Sequence, residues 1–337
     1  MIILFILTFL VSCVLIYLLI KYAAVLGLQD IPNKRSAHKK ITPRSAGIGF
    51  VGALLISLFV CEYAHVVEYY YVYLAILFIM LTGIYDDKFA ASHRFKFIIL
   101  IIVAFYVALH GILIESLGTY YGYNLHLPYI VAVVFTAFAI VGFTNALNLM
   151  DGLDGLAGGL SLIMLVFYFV IGYLHNDDLM FFLSLATIAA VSAFLLFNWY
   201  PAKIFMGDSG SLSLGFIIAV LSIESLQYIA PAAVLFIVAM PLMDTFIVMR
   251  RRIQRGQSPF QADKNHIHHF LYKVKVNVKI SVMLLLSLQL ALSIIGFQMK
   301  HANELLSLLL FILLFFIFLH MFDQRFRYRP PKKARKK

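Results

Sequence analysis

The sequence predicts an all-α fold, a polytopic membrane bundle of about eleven transmembrane helices with the N-terminus outside and the C-terminus cytoplasmic. Two observations carry this. The 337-residue chain is 63% hydrophobic and only 13% charged, whereas soluble domains are about a quarter charged. Its basic residues also fall in alternate loops between the apolar runs, the pattern produced when Lys and Arg collect on the cytoplasmic side. The net charge of +11 therefore reads as topology and does not argue for a nucleic-acid partner.

Runs long enough to cross about 30 Å of hydrocarbon lie near 2–27, 46–64, 69–85, 97–114, 128–147, 156–174, 179–197, 211–226, 230–249, 279–298 and 304–322. The loop after the first run holds Lys34, Arg35, Lys39, Lys40 and Arg44, and the loop after the third holds Lys88, Arg94 and Lys96. Lys203 follows the seventh, and a basic stretch from Arg250 to Lys279 follows the ninth. The intervening loops hold Glu62, Glu68, Glu115, Asp177, Asp178, Glu224 and Glu304, with Lys300 as their basic residue. The first run is too long, and lacks the basic flank, for a cleavable signal. Cys13 and Cys61 lie in apolar runs and suggest neither a disulfide framework nor a thiolate metal site. The chain reads as one integral membrane domain, 1–324, with cytoplasmic loops at 28–45, 86–96, 148–155, 198–211 and 250–279. A basic tail, 325–337, follows and is suited to anionic lipid.

Polar residues cluster in those cytoplasmic loops. Asp208 sits between Gly207 and Ser209-Gly210-Ser211. Glycines let backbone N–H groups approach a ligand, and such a carboxylate suits Mg²⁺, which often bridges to substrate phosphates. A helix cap is the alternative reading. Asn145, Asn148, Asp151 and Asp154 recur every three residues, which on a helix stacks them along one face. Polar groups at the end of a membrane helix need protein, water or ligand to face. Asp86-Asp87 is an adjacent pair whose mutual repulsion suits a metal or a general base. His266, His268 and His269 lack the companions of a structural zinc site and suit diphosphate contact or acid–base work. Carboxylates, glycines and cations on one face suggest metal-bridged phosphate chemistry. A membrane location gives such chemistry a natural second substrate, a lipid. The rival class is a transporter, which would place its ionisable residues near the bilayer midplane.

In order along the chain, Asp30-Ile31-Pro32-Asn33, Asp86-Asp87, Asn148-Leu149-Met150-Asp151-Gly152-Leu153-Asp154-Gly155, Phe205-Met206-Gly207-Asp208-Ser209-Gly210, Pro241-Leu242-Met243-Asp244-Thr245 and His266-Ile267-His268-His269 resemble the motifs of a known enzyme family. It is that of the polyprenyl-phosphate N-acetylhexosamine-1-phosphate transferases, glycosyltransferase family 4. The family includes the phospho-MurNAc-pentapeptide translocase and the undecaprenyl-phosphate GlcNAc-1-phosphate transferases of O-antigen and teichoic-acid synthesis. The His-Ile-His-His form, with Ser258-Pro259-Phe260 and Asp263, is closer to the GlcNAc branch. Phe270 stands where family members can carry Arg.

The resemblance implies attack by undecaprenyl phosphate on the β-phosphorus of a UDP-sugar with release of UMP, at the cytoplasmic face of a bacterial inner membrane. It implies Mg²⁺, with Mn²⁺ as a substitute, and in the family often a dimer. Asp86 and Asp87 would activate the lipid phosphate or help bind the metal, and Asp208 would be the principal metal ligand. Asn148, Asp151 and Asp154 would line the nucleotide-sugar site, to which we also assign Lys39 and Lys203. His266, His268 and His269 would sit over the diphosphate or sugar. UDP-MurNAc-pentapeptide, UDP-N-acetylgalactosamine or a deoxy-N-acetylhexosamine donor would use the same chemistry.

Overall fold

A computed structural model describes residues 1–30, 41–254, 256–258 and 277–324. The protein is a helical bundle. Its elements are α1 (Ile2–Leu26), α2 (Ala46–Cys61), the short α3 (Tyr63–Glu68), α4 (Tyr70–Phe89), α5 (His93–Leu109), α6 (Tyr129–Met150), α7 (Leu156–His175), α8 (Asp178–Asn198), α9 (Gly207–Glu224), α10 (Pro231–Ile237), α11 (Ala239–Gln254), α12 (Val278–Gln298) and α13 (Glu304–Gln324). Two small hairpins, not foreseen from the sequence, interrupt the helices. One pairs β1 (Gln29–Asp30) with β2 (Thr42–Pro43), and the other pairs β3 (Ser116–Tyr120) with β4 (Tyr123–His126).

A helix overlaps each apolar run read from the sequence. Among the described residues, seven helices are long and apolar enough to cross a membrane, or up to eight if the bent pair α10–α11 is one span. Helices dominate because a chain in hydrocarbon must satisfy every backbone polar group within its own segment.

Two runs depart from a simple span. The run 97–114 stops being helical at Leu109, and the chain passes through Gly111 into the β3–β4 hairpin. The run 230–249 is two helices bent by 84° at Val238. The cause lies one turn further on. Pro241 has no N–H, and its ring crowds the carbonyl four residues back.

The centre of the bundle is α9, buried from Ser209 to Ile223 and flanked by α2, α4, α6, α7 and α8. Its first half, Gly-Asp-Ser-Gly-Ser-Leu-Ser-Leu-Gly, has small side chains that let neighbouring backbones come close. Two of its hydroxyls donate within the helix, Ser211 Oγ to Gly207 O at 3.0 Å and Ser213 Oγ to Ser209 O at 2.8 Å. On the periphery, α1 packs on α2 and α8 and turns Ile3, Ile6, Leu10 and Val14 outward, a face made for lipid.

Candidate active site

The N-terminus of α9 is pinned from three sides. Met206 O and Phe205 O accept from Gly47 N (3.1 Å) and Ala46 N (3.1 Å), and Phe205 N donates to Pro43 O at 2.8 Å. These bonds tie the approach to α9 onto β2 and the start of α2. Gly47 and Gly83 are required there. A Cβ on Gly47 would collide with the Gly210 backbone, and one on Gly83 with that of Ser209. Gly207 has φ 72°, in the left-handed region where an L side chain is strained.

Asp87, at the end of α4, is only 4% exposed. Its Oδ1 accepts from Asp208 N at 2.9 Å. Its Oδ2 accepts from Ser45 Oγ (2.7 Å), Ser209 Oγ (2.9 Å) and Ser209 N (3.2 Å). Asp87 thus caps α9 from another helix, placing negative charge where the free N–H groups and the helix dipole favour it. The bond from Ser45 also holds that residue at φ 72°, a conformation unusual for a non-glycine. With four donors engaged, Asp87 acts as the post on which α9 is mounted.

Asp86 points elsewhere. Its Oδ2 meets Lys96 Nζ at 2.9 Å, and the same ammonium meets Asp208 Oδ2 at 2.6 Å. Lys96 lies near the start of α5, which Ser92 caps by accepting from Phe95 N at 3.2 Å. The other oxygen of Asp208 accepts from Asn148 Nδ2 at 3.2 Å, and Asn148 also donates to Ser211 Oγ at 2.7 Å. Asp208 does not cap α9 with its side chain. It is held between Lys96 and Asn148, aimed out of the helix start.

The polar rail of Asn145, Asn148, Asp151 and Asp154 is not one helical face. Helix α6 ends at Met150, with Asp151 as its C-cap, and only the asparagines are helical. Asp151 to Gly155 form a turn, closed by Gly152 N to Met150 O at 2.8 Å, because glycine favours leaving the helix there and Gly155 takes φ 78°. Gly155 N donates to Asn198 Oδ1 at 2.9 Å, and Asn198 Nδ2 donates to Ile204 O at 2.8 Å. Asp154 Oδ2 accepts from Ala202 N at 2.9 Å. The turn and the loop 199–206 are therefore stitched together. Asp151 is pushed up to about 7, chiefly by burial and then by the charges of Asp208, Asp87 and Asp154, so an added cation here would be welcomed.

Asp86, Asp87, Asn148 and Asp208 come together, joined to Asp154 through the stitched loop. Lys203 is exposed on that loop. Lys39, His266, His268 and His269 lie outside the described residues. Lys96 was missed as a site residue, since the sequence shows it only as one more cytoplasmic cation. Ser45 and Asn198 were missed because a lone hydroxyl or amide carries no pattern.

Among the described residues no group of three or more His, Cys, Asp or Glu could hold a metal ion. The donor set still fits Mg²⁺. Two carboxylates already converge on one cation, the Lys96 ammonium, and Mg²⁺ is commonly held by one or two carboxylates plus waters and substrate phosphates.

Known proteins resemble this chain in sequence. The model of glycosyl transferase family 4 matches residues 69–226, which include Asp86, Lys96, Asn148 and Asp208. The probable undecaprenyl-phosphate N-acetylglucosaminyl 1-phosphate transferase of Bacillus subtilis (strain 168) is 34% identical over 307 residues, 88% of this chain and 84% of that protein. The undecaprenyl-phosphate alpha-N-acetylglucosaminyl 1-phosphate transferase of Escherichia coli (strain K12) is 30% identical over 329 residues, 92% of this chain and 88% of the relative. With relatives this similar over nearly their whole length, and with the family's match spanning the pinned start of α9, the chain belongs to glycosyl transferase family 4.

Proposed function

We propose that this protein transfers N-acetylglucosamine-1-phosphate from UDP-GlcNAc to undecaprenyl phosphate. The observation that carries this is the Asp86–Lys96–Asp208 bridge at one end of an apolar bundle. There a charged donor can meet a phosphate borne on a lipid. The names of the relatives supply the sugar and the polyprenol.

In the reaction an oxygen of the lipid phosphate attacks the β-phosphorus of the donor. The bond from that phosphorus to the oxygen bridging it to the α-phosphate breaks, and UMP leaves with the electron pair. Such transfers are catalysed mainly by positioning and by neutralising charge. Lys96 places its ammonium between the two carboxylates and can turn to a diphosphate. Asp208, fixed by Asn148, and Asp86 supply the anionic oxygens. Asp151 and Asp154 face the nucleotide side, and His266, His268 and His269 act on the diphosphate or sugar. Mg²⁺, or Mn²⁺ in its place, would neutralise phosphate charge when bound to Asp208 and Asp86.

Purified protein given UDP-GlcNAc and undecaprenyl phosphate should release one UMP per lipid-linked sugar. A chelator should stop the reaction, and Mg²⁺ or Mn²⁺ should restore it. Turnover of UDP-N-acetylgalactosamine or UDP-MurNAc-pentapeptide in preference to UDP-GlcNAc would overturn the sugar assignment. No product from any of these donors would overturn the reaction.

We also propose about eleven spans, an outside N-terminus and a cytoplasmic active site, with the protein in the bacterial inner membrane. The basic loops support this, since they lie at the Asp86 and Asp208 end of their helices. Reporter fusions after residues 120 and 177 should be active only outside the cytoplasm. Fusions after 260 and 337 should be active only inside, and an external C-terminus would refute the count.

A further inference from the structure

The 84° bend between α10 and α11 leaves two backbone groups without helical partners. In an unbroken helix the carbonyl of Ile237 would accept from residue 241, which is Pro241 and has no N–H. The N–H of Met240 likewise loses its helical acceptor at the break. Both groups lie in the buried core, where Ile237 and Met240 are 0% exposed, and no water reaches hydrocarbon to replace the lost bonds.

One side chain from another helix serves both. Gln289, on α12 and itself 0% exposed, donates from Nε2 to Ile237 O at 2.6 Å and accepts at Oε1 from Met240 N at 3.0 Å. Its amide is oriented by Ser293 Oγ, 2.7 Å from Nε2, and that hydroxyl also reaches Ile237 O at 3.4 Å. Two turns along α12, a Cβ on Gly296 would lie 2.6 Å from Phe236 Cβ and 2.7 Å from Ala233 O. The helix is thus pressed against α10 at the register that brings Gln289 to the break.

We propose that Gln289 is a positioning residue for the transfer reaction, replacing the hydrogen bonds that Pro241 removes and so fixing the direction of α11. This helix packs on α6, whose end carries Asn148, and it leads in sequence to His266, His268 and His269. Without the amide, realigning α10 and α11 would return Met240 N to a backbone acceptor but leave Ile237 O unserved, because Pro241 has no N–H, so the direction of α11 is no longer fixed at the bend. A helix of α11's length is about 24 Å long, and a change of about 25° at the bend swings its far end by about 10 Å. The effect on catalysis rests on the proposed reaction, whereas the effect on the bend does not.

The test uses the full chain in lipid nanodiscs, with Cys13→Ser and Cys61→Ser and spin labels at Ile253→Cys and Leu196→Cys, both exposed positions. With Gln289 present the distance distribution should be single and narrow. Gln289→Leu should shift or broaden it by about 10 Å and lower kcat about tenfold, the scale of a lost buried hydrogen bond. Gln289→Glu should keep both the distribution and the rate, because a buried carboxyl stays neutral and its one O–H can donate to Ile237 O while its other oxygen accepts from Met240 N, losing only the bond to Ser293. Ser293→Ala, a milder change, should fall between wild type and Gln289→Leu in both readouts. An unchanged distribution in Gln289→Leu, or a Gln289→Glu protein that behaves like it, overturns the proposal. A shifted distribution with unchanged kcat overturns the positioning role. If the parent protein itself makes no product, the transferase reading fails, while the distances still decide whether Gln289 sets the bend.

Discussion

Asp208→Asn is expected to lower kcat by about a thousandfold, the scale found when a group that stabilises transition-state charge is removed. The substitution keeps the volume and can keep the bond from Asn148. It takes away the charge that faces Lys96 at 2.6 Å and that would hold a divalent cation. The helix start should survive, because α9 is capped by Asp87 and not by the Asp208 side chain. Thermal melting and size-exclusion profiles should therefore match wild type while UMP release is nearly lost. Wild-type turnover across a range of Mg²⁺ concentrations would reduce Asp208 to a residue that merely favours the positive end of a helix.

The adjacent acid should behave differently. Asp87→Ala is expected to destabilise the protein by about 3 kcal/mol, because it strands a cluster of buried donors. These are the backbone N–H groups of Asp208 and Ser209 and the hydroxyls of Ser45 and Ser209. A loss of that size should appear as a markedly lower melting temperature, with activity falling because the start of α9 moves. Asp87→Asn should be intermediate, since its oxygen can still accept but its amide turns a donor toward donors. If Asp87→Ala melted like wild type yet made no product, Asp87 would belong to the chemistry and its mounting role would be wrong.

That contrast marks how far the sequence could be read. A lipid-soluble chain cannot scatter carboxylates without reason, so Asp86, Asp87, Asn148, Asp154 and Asp208 stood out against their apolar surroundings. Neighbours on a helix point about 100° apart, and nothing in an Asp-Asp pair says which one meets α9. Only the fold separates the buried cap from the residue that faces Lys96. Lys96 itself was hidden by its company, since four of the five cytoplasmic loops carry Lys or Arg. Spacing placed Asp151 and Asp154 on a helical face, but the flexibility of Gly152 and Gly155 ended the helix first. The broken run was legible in part. Pro241 is visible in the sequence, yet a run of sufficient length reads as one straight span, and its repair by Gln289 is made by a distant helix.

The ammonium of Lys96 between Asp86 and Asp208 has a consequence for how the protein is made. Two carboxylates facing each other at a membrane surface would repel during insertion and leave the bundle to close only where free ion is plentiful. With an intrinsic counter-cation arriving on the helix that follows α4, the acids are partly neutralised as the chain is synthesised. Assembly of the bundle is then expected to need no added cation. Protein produced under Mg²⁺ starvation should then accumulate folded and, on the proposed metal-dependent reaction, gain activity when Mg²⁺ is added.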